Sequence, residues 1–145
     1  MKEKIIMYTD GGSRGNPGPA GAGVYITDEH GKELAHVGKS LGIMTNNEAE
    51  YEAVLLGLLT MKKKFGKDKV KNFDIQIRMD SELCVRQLTH KYQIKENRLI
   101  PYFIKIHNMR VSEFSGVSFM HIPREENKKA DALANMVMDR EIGFQ

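Results

Sequence analysis

The sequence predicts an α/β protein built on one sheet of mixed direction, three antiparallel strands first and parallel strands added after them. Three observations carry this expectation. Residues 4–10, KIIMYTD, are apolar on both faces, as in a strand covered from two sides. Two further strand-like segments follow, separated by residues with turn chemistry. From residue 46 onward helical and strand-like segments alternate, the order that right-handed crossovers convert into parallel pairs.

Taken in order, the first strand closes on Asp10, and a glycine-rich stretch leads into a second strand over 21–27, GAGVYIT. TDEHGKE supplies a hairpin into a third strand over 33–41. TNNEAEYEAVLLGLLTMKKKFG offers Asn46 or Asn47 as N-cap, continues in strong helix formers and stops near Gly66. FDIQIRMD alternates, with Phe73, Ile75, Ile77 and Met79 on one face, and delivers Asp80 at its end. SELCVRQL begins a helix capped by Ser81. Another helix runs from near Asn97 to Arg110, GVSFMHI forms the last strand, and NKKADALANMVMD the last helix, with Asn127 near its cap.

Composition bounds the function classes. The 145 residues show no repeat or linker and read as one domain, 1–145. Apolar residues make up 41% and charged residues 28%, and no run is long and apolar enough to span a bilayer. MKEKIIMYTD lacks the apolar core of a secretory signal, and the single Cys84 fits a reducing compartment, so the cytoplasm is expected. A net charge of +3 leans toward an anionic partner, though many proteins with this balance bind no nucleic acid. Nothing implies a membrane or a protein partner. Lys62, Lys63, Lys64, Lys67, Lys69 and Lys71 form a basic cluster that reads first as a solvated helix end.

Four acids fall where such sheets collect ligands, at the carboxyl ends of strands and the first turns of helices. Asp10 and Asp80 close strands; Glu50 and Asp131 lie near helix starts. An acid at a helix start also simply complements the helix dipole, and Asp80 before Ser81 also suits a turn. Asp10 differs, because an acid closing a doubly apolar strand is costly to desolvate unless a cation or strong donors meet it. On the helical wheel Glu50 falls within about 40° of Val54, Gly57 and Met61, whereas Glu48 and Glu52 point some 160° away. Glu50 therefore heads the stripe that faces the sheet. Asp131 similarly flanks the stripe of Ala130, Leu133, Ala134 and Val137.

The sequence resembles the type 1 ribonuclease H family. YTDGGSRGNPGPAGAG, TNNEAEYEAVLLGL, MDSELCVRQL and HIPREENKKADALAN look like its four signatures, in family order and over nearly the whole chain. The resemblance implies the ribonuclease H fold, a five-stranded mixed sheet with helices on both faces. It implies endonucleolytic cleavage of RNA paired to DNA, leaving 5′-phosphate and 3′-hydroxyl ends. It makes Asp10, Glu50, Asp80 and Asp131 an acidic quartet. Carboxylates this close repel one another unless a divalent cation neutralises them, and oxygen-only donors select Mg²⁺ or Mn²⁺. By resemblance two ions are held: Asp10 bridges both, Glu50 and Asp80 complete one site, and Asp131 completes the other. Without the quartet, a non-cleaving nucleic-acid-binding module of the same fold would be the reading. Cleavage of RNA/RNA duplexes as well stays open.

The resemblance further implies that Asn16 and Asn47 contact the minor groove of an RNA/DNA hybrid, where 2′-hydroxyls mark RNA. It implies that Thr45 grips a phosphate, although Thr45, Asn46 and Asn47 are also ordinary helix-capping residues. Glycines 11, 12, 15, 18, 21 and 23 are expected to bring backbone close to a charged groove, with Gly11 contacting nucleic acid. No GK[ST] follows them, which excludes a nucleotide P-loop. Glu48 stands where many members carry Gln, and its charge works against a polyanion. His121 precedes Asp131 by ten residues, a separation that suits the family's mobile histidine. If HIP instead ends the last strand, which the pattern favours, His121 is a strand residue and proton handling falls to water, Arg124 or Glu125. The stretch LTHKYQIKENRLIPYFIKI is too short for the basic protrusion of some bacterial members.

Overall fold

A computed structural model describes residues 2–141 of the chain. Five strands, β1 (Glu3–Ser13), β2 (Gly18–Asp28), β3 (Glu33–Met44), β4 (Phe73–Met79) and β5 (Val117–His121), form one sheet in the order β3-β2-β1-β4-β5. The β1–β2 and β2–β3 pairs are antiparallel, and β1–β4 and β4–β5 are parallel, as the sequence predicts. Between and after the strands run α1 (Asn46–Phe65), α2 (Lys67–Val70), α3 (Glu82–Leu88), α4 (Ile100–Ser112) and α5 (Lys128–Glu141). None of the helices among the described residues is long and apolar enough to cross a membrane. Of the C-terminal DREIGFQ, residues 142–145 lie outside the described residues.

Two departures from the sequence reading bear on the site. Asp10 does not end its strand: β1 and β2 stay paired through Gly11↔Ala22, Gly12↔Gly21 and Ser13↔Ala20. Glycine lowers strand propensity, but here small residues face small residues and the ladder continues. The N-cap of α1 is Thr45, not Asn46 or Asn47. Its Oγ1 accepts from the Glu48 N–H at 3.2 Å while Glu48 Oε1 accepts from the Thr45 N–H, a reciprocal capping box. Ser81 caps α3 as expected, accepting from the Cys84 N–H at 3.2 Å.

Residues paired directly across strands share a sheet face. Ile5 and Met7 of β1 share one with Ile75 and Ile77 of β4, and that face forms the main core beneath α1, joined by Leu88 of α3 and Ile106 of α4. Cys84 is buried in the same core with a free thiol, and burial pushes its pKa up. On the opposite face α5 lies across β1, β2 and β3. It comes so close that a Cβ at Gly23 would sit 2.1 Å from the Ala130 carbonyl oxygen. This, rather than approach to a ligand, is what glycine does at 23. Among the described residues no helix covers the β4 and β5 portion of that face, where Ser118 and Met120 are exposed.

Candidate active site

The four acids predicted from sequence converge on one cavity of about 540 Å³ at the edge of the sheet. Pairing explains why the edge opens there. The parallel ladder between β1 and β4 stops at Tyr8↔Arg78, whereas β1 goes on pairing with β2. Asp10 therefore stands two residues past the last β4 partner on one side and inside a ladder on the other. Asp80 follows β4 directly, Glu50 comes from the second turn of α1, and Asp131 from the start of α5. Asp10, Glu50 and Asp80 each offer an oxygen within 4.8 Å of the others'. Asp131 lines the same cavity from the α5 side, and its charge acts on the Asp10 carboxyl.

Each acid is held by its own partners. Glu50 is only 6% exposed, and its Oε1 accepts the Gly11 N–H at 2.6 Å. That contact requires glycine, since a Cβ at position 11 would lie 2.1 Å from the Ala49 carbonyl oxygen. Ser81 lines the cavity near Glu50 and favours its charged form. The buried Asn127 amide donates to Asp80 Oδ2 at 3.2 Å and to the Thr9 carbonyl at 2.9 Å, tying β1, β4 and the start of α5 together. Asn127 also accepts the Asp131 N–H at its own carbonyl, 3.1 Å away.

The electrostatics are those of a cluster lacking counter-charge. Burial, with the charges of Glu50, Asp80 and Asp131 acting in the same direction, pushes the Asp10 carboxyl up to about 9. Burial raises Glu50 to about 8, opposed by its Gly11 hydrogen bond, with Asp80 adding to the rise and Ser81 and Arg124 opposing it. Oxygen-only donors at this spacing, with Asp10 and Glu50 held back from ionising by burial and by neighbouring carboxylates, fit a hard divalent cation. The amino-terminal ends of α1 and α5 point positive dipole ends toward the same cavity, which favours anionic groups there.

The other expectations divide. Asn47 lines the acid cavity and also a neighbouring cleft with Gln87 and Lys91. Asn16 is exposed on the β1–β2 turn, and its Oδ1 accepts the Asn46 N–H at 2.9 Å. Thr45 is committed to the α1 cap. Gly11 lines the cavity, with its N–H taken up by Glu50, whereas Gly23 faces α5, where it serves helix packing. His121 is the last residue of β5, paired with Met79, and exposed outside the cavity. Arg124 lines the cavity; Glu125 faces a different cleft. Residues 89–99 hold only a 3-10 turn, Asn97–Leu99, in place of a helical protrusion. In the lysine cluster Lys62 pairs with Glu113 at 3.0 Å and Lys69 lies over the Phe65 ring, some 18 Å along α1 from Glu50.

Sequence reasoning took Asn127 and Ser81 only as caps and passed over Arg14, which pairs with Asp139 at 2.8 Å and with Asn135 on the cavity rim. A polar residue within one turn of each predicted acid was the available signal.

A β3-β2-β1-β4-β5 sheet with α1 and α5 on opposite faces and acids gathered at its opened edge defines a ribonuclease H-like domain. The family model described as reverse transcriptase-like matches residues 8–137, and the chain belongs to the type 1 ribonuclease H family. The structure of LC11-RNase H1, isolated from compost by a metagenomic approach, is 45% identical, covers 97% of this chain and 99% of that one, and superposes with a TM-score of 0.91. That enzyme is also known in complex with RNA/DNA hybrid. A ribonuclease HI of Halobacterium salinarum is 38% identical over 94% of this chain, and a bifunctional protein of Mycobacterium tuberculosis is 36% identical over 94%. The chain spans 65% of the length of the first and 36% of the second.

Proposed function

We propose that residues 1–145 form one catalytic domain that hydrolyses the RNA strand of RNA/DNA hybrids with divalent cations. The observation that carries this reading is the convergence of Asp10, Glu50 and Asp80 to within 4.8 Å, with Asp131 lining the same cavity. Asp10, Glu50, Asp80 and Asp131 would hold Mg²⁺ or Mn²⁺, two ions in the full assignment. Bound there, the metal supplies Lewis acidity toward a phosphate oxygen and an acidified water.

The chain's own groups set the geometry around that chemistry. The Gly11 N–H fixes Glu50, and Asn127 fixes Asp80 against β1. Arg124 lines the same cavity, where its guanidinium can meet a phosphate. Asn47 on the cavity wall, Asn16 and Thr45 nearby, and the exposed surface of Gly11 supply the hybrid contacts, with Asn side chains reading ribose hydroxyls. Water, rather than the neighbouring 2′-hydroxyl, is the nucleophile, so products carry 5′-phosphate and 3′-hydroxyl ends. The lone free cysteine, Cys84, supports the cytoplasm as the compartment.

Labelled RNA/DNA hybrid, RNA duplex and DNA duplex, each incubated with Mg²⁺, Mn²⁺ or EDTA, test the proposal. Metal-dependent cutting of the RNA in the hybrid is expected, abolished in Asp10→Asn with its fold intact. Hybrid left whole with both ions, or cutting that survives EDTA, refutes it.

A further inference from the structure

A second cleft, of about 490 Å³, lies on the same sheet face as the acids, one step back along the strands. Tyr8 and Arg78 line it, each two residues before Asp10 and Asp80, so each lies about 7 Å from its acid along the strand. The first turn of α5 walls it off from the acid cavity with Lys128 and Lys129. Neither the acid chemistry nor the core accounts for what this cleft contains.

Its floor is an aromatic pair with fixed charge beside it. Tyr8 and Tyr25 are direct partners across β1 and β2, their ring centroids 6.1 Å apart and their planes tilted by 43°. Arg78 donates from Nη1 to the Tyr8 hydroxyl at 3.1 Å and from Nε to Gln76 Oε1 at 2.8 Å, which orients the guanidinium and leaves Nη2 without a protein partner among the described hydrogen bonds. Lys129 Nζ, on an exposed side chain, lies 5.4 Å from the Tyr25 ring centroid, and the Arg78 guanidinium carbon lies 5.6 Å from that of Tyr8. A further groove of about 370 Å³ shares Ile6, Glu29 and Arg78 and runs on over Gln76 and Ser118. The path is therefore open along the part of the sheet that α5 leaves uncovered.

Aromatic side chains on adjacent strands of an open sheet, flanked by arginine and lysine, form the platform on which unpaired bases stack. Acids also line the cleft, namely Glu29, Glu125 and Glu126. They cancel the general attraction for a polyanion and so disfavour a duplex, yet they accept hydrogen bonds from ribose hydroxyls. We propose that this cleft binds an unpaired ribonucleotide, its base on Tyr8 and Tyr25, its phosphate on Arg78 and Lys129. A single-stranded RNA segment and a free ribonucleotide present the same chemistry. The inference does not rest on the cleavage reading.

The chain has no tryptophan, so Tyr25→Trp creates a single reporter inside the cleft. In EDTA, this variant is titrated with a single-stranded RNA hexamer, with AMP, with a blunt RNA/DNA hybrid and with inorganic phosphate. Saturable quenching by the hexamer or AMP is expected, with little from hybrid or phosphate. Quenching by the hexamer alone assigns the cleft to a strand, and equal quenching by AMP assigns it to free nucleotide. Adding Arg78→Ser or Lys129→Ser should weaken binding at least about fivefold, the low end of what one stacking or charged contact contributes. Circular dichroism and melting check the fold of each variant, and anisotropy of a labelled hexamer on the unaltered chain and on Arg78→Ser gives the same comparison without the reporter. No binding by hexamer or AMP, or binding indifferent to Arg78 and Lys129, overturns the proposal.

Discussion

Alanine at position 11 would place its Cβ 2.1 Å from the carbonyl oxygen of Ala49 and 2.6 Å from the Glu50 nitrogen. Ordinary contact begins near 3.4 Å, and the obstacle is helix backbone, so α1 must retreat by roughly 1.3 Å. Overpacking that forces backbone to move costs about 3 kcal/mol, the upper end of the usual range. In a domain of this size that lowers Tm by about 6–12 °C. The same retreat lengthens the 2.6 Å bond from the Gly11 N–H to Glu50, and a carboxylate misplaced by about 1 Å reduces turnover roughly 100-fold. Melting and hybrid cleavage of Gly11→Ala measure both effects. Gly12→Ala is the internal control, because its Cβ would meet only the Met138 methyl at 3.7 Å and Asn46 Oδ1 at 3.8 Å. It should keep Tm within about 2 °C. A Gly11→Ala protein as stable and active as the control would refute the packing account of how Glu50 is placed.

Asn127→Ala removes the donor to both Asp80 and the Thr9 carbonyl; we expect a loss of about 2–3 kcal/mol by denaturant unfolding, and a fall in kcat larger than any change in KM. Without divalent metal, stability should decline as pH rises from about 4 to about 9, because folded Asp10 and Glu50 hold protons that the unfolded chain has released. Metal competes with those protons, so the rise in Tm on adding Mg²⁺ should be larger at alkaline than at acidic pH; a melting series with and without Mg²⁺ checks both signs. Glu48→Gln keeps the oxygen that closes the α1 cap while deleting a negative charge beside the proposed hybrid path. Tm should stay within about 2 °C and KM for hybrid should fall several-fold, most clearly at low salt.

What the sequence disclosed was what local period and position encode. The helical wheel selected Glu50 from three nearby glutamates, and it is Glu50 that is buried beside Gly11. The alternation of FDIQIRMD placed Asp80 at a strand end, and the pattern of GVSFMHI made His121 a strand residue rather than part of the acid cavity. Contacts between distant segments stayed hidden. Asn127 meets the Thr9 carbonyl across 118 positions of sequence, and no periodicity announces such a bond. The glycines misled for a related reason. They read locally as backbone opened toward a ligand, yet packing is set by the helices above them, α1 over Gly11 and α5 over Gly23. The α1 cap was misplaced by one or two residues because Thr45, Asn46 and Asn47 all suit it, and only the partnership of Thr45 with Glu48 decides among them.

The most direct measurement of the acid cluster compares Tm for the unaltered chain and Asp10→Asn at about pH 8.5, in EDTA and then in Mg²⁺. If burying the carboxylates together makes the metal-free site unfavourable, Asp10→Asn melts higher than the unaltered chain in EDTA and gains nothing from Mg²⁺, whereas the unaltered chain gains markedly. An Asp10→Asn protein that melts lower in EDTA and rises with Mg²⁺ as much as the unaltered chain would contradict the account.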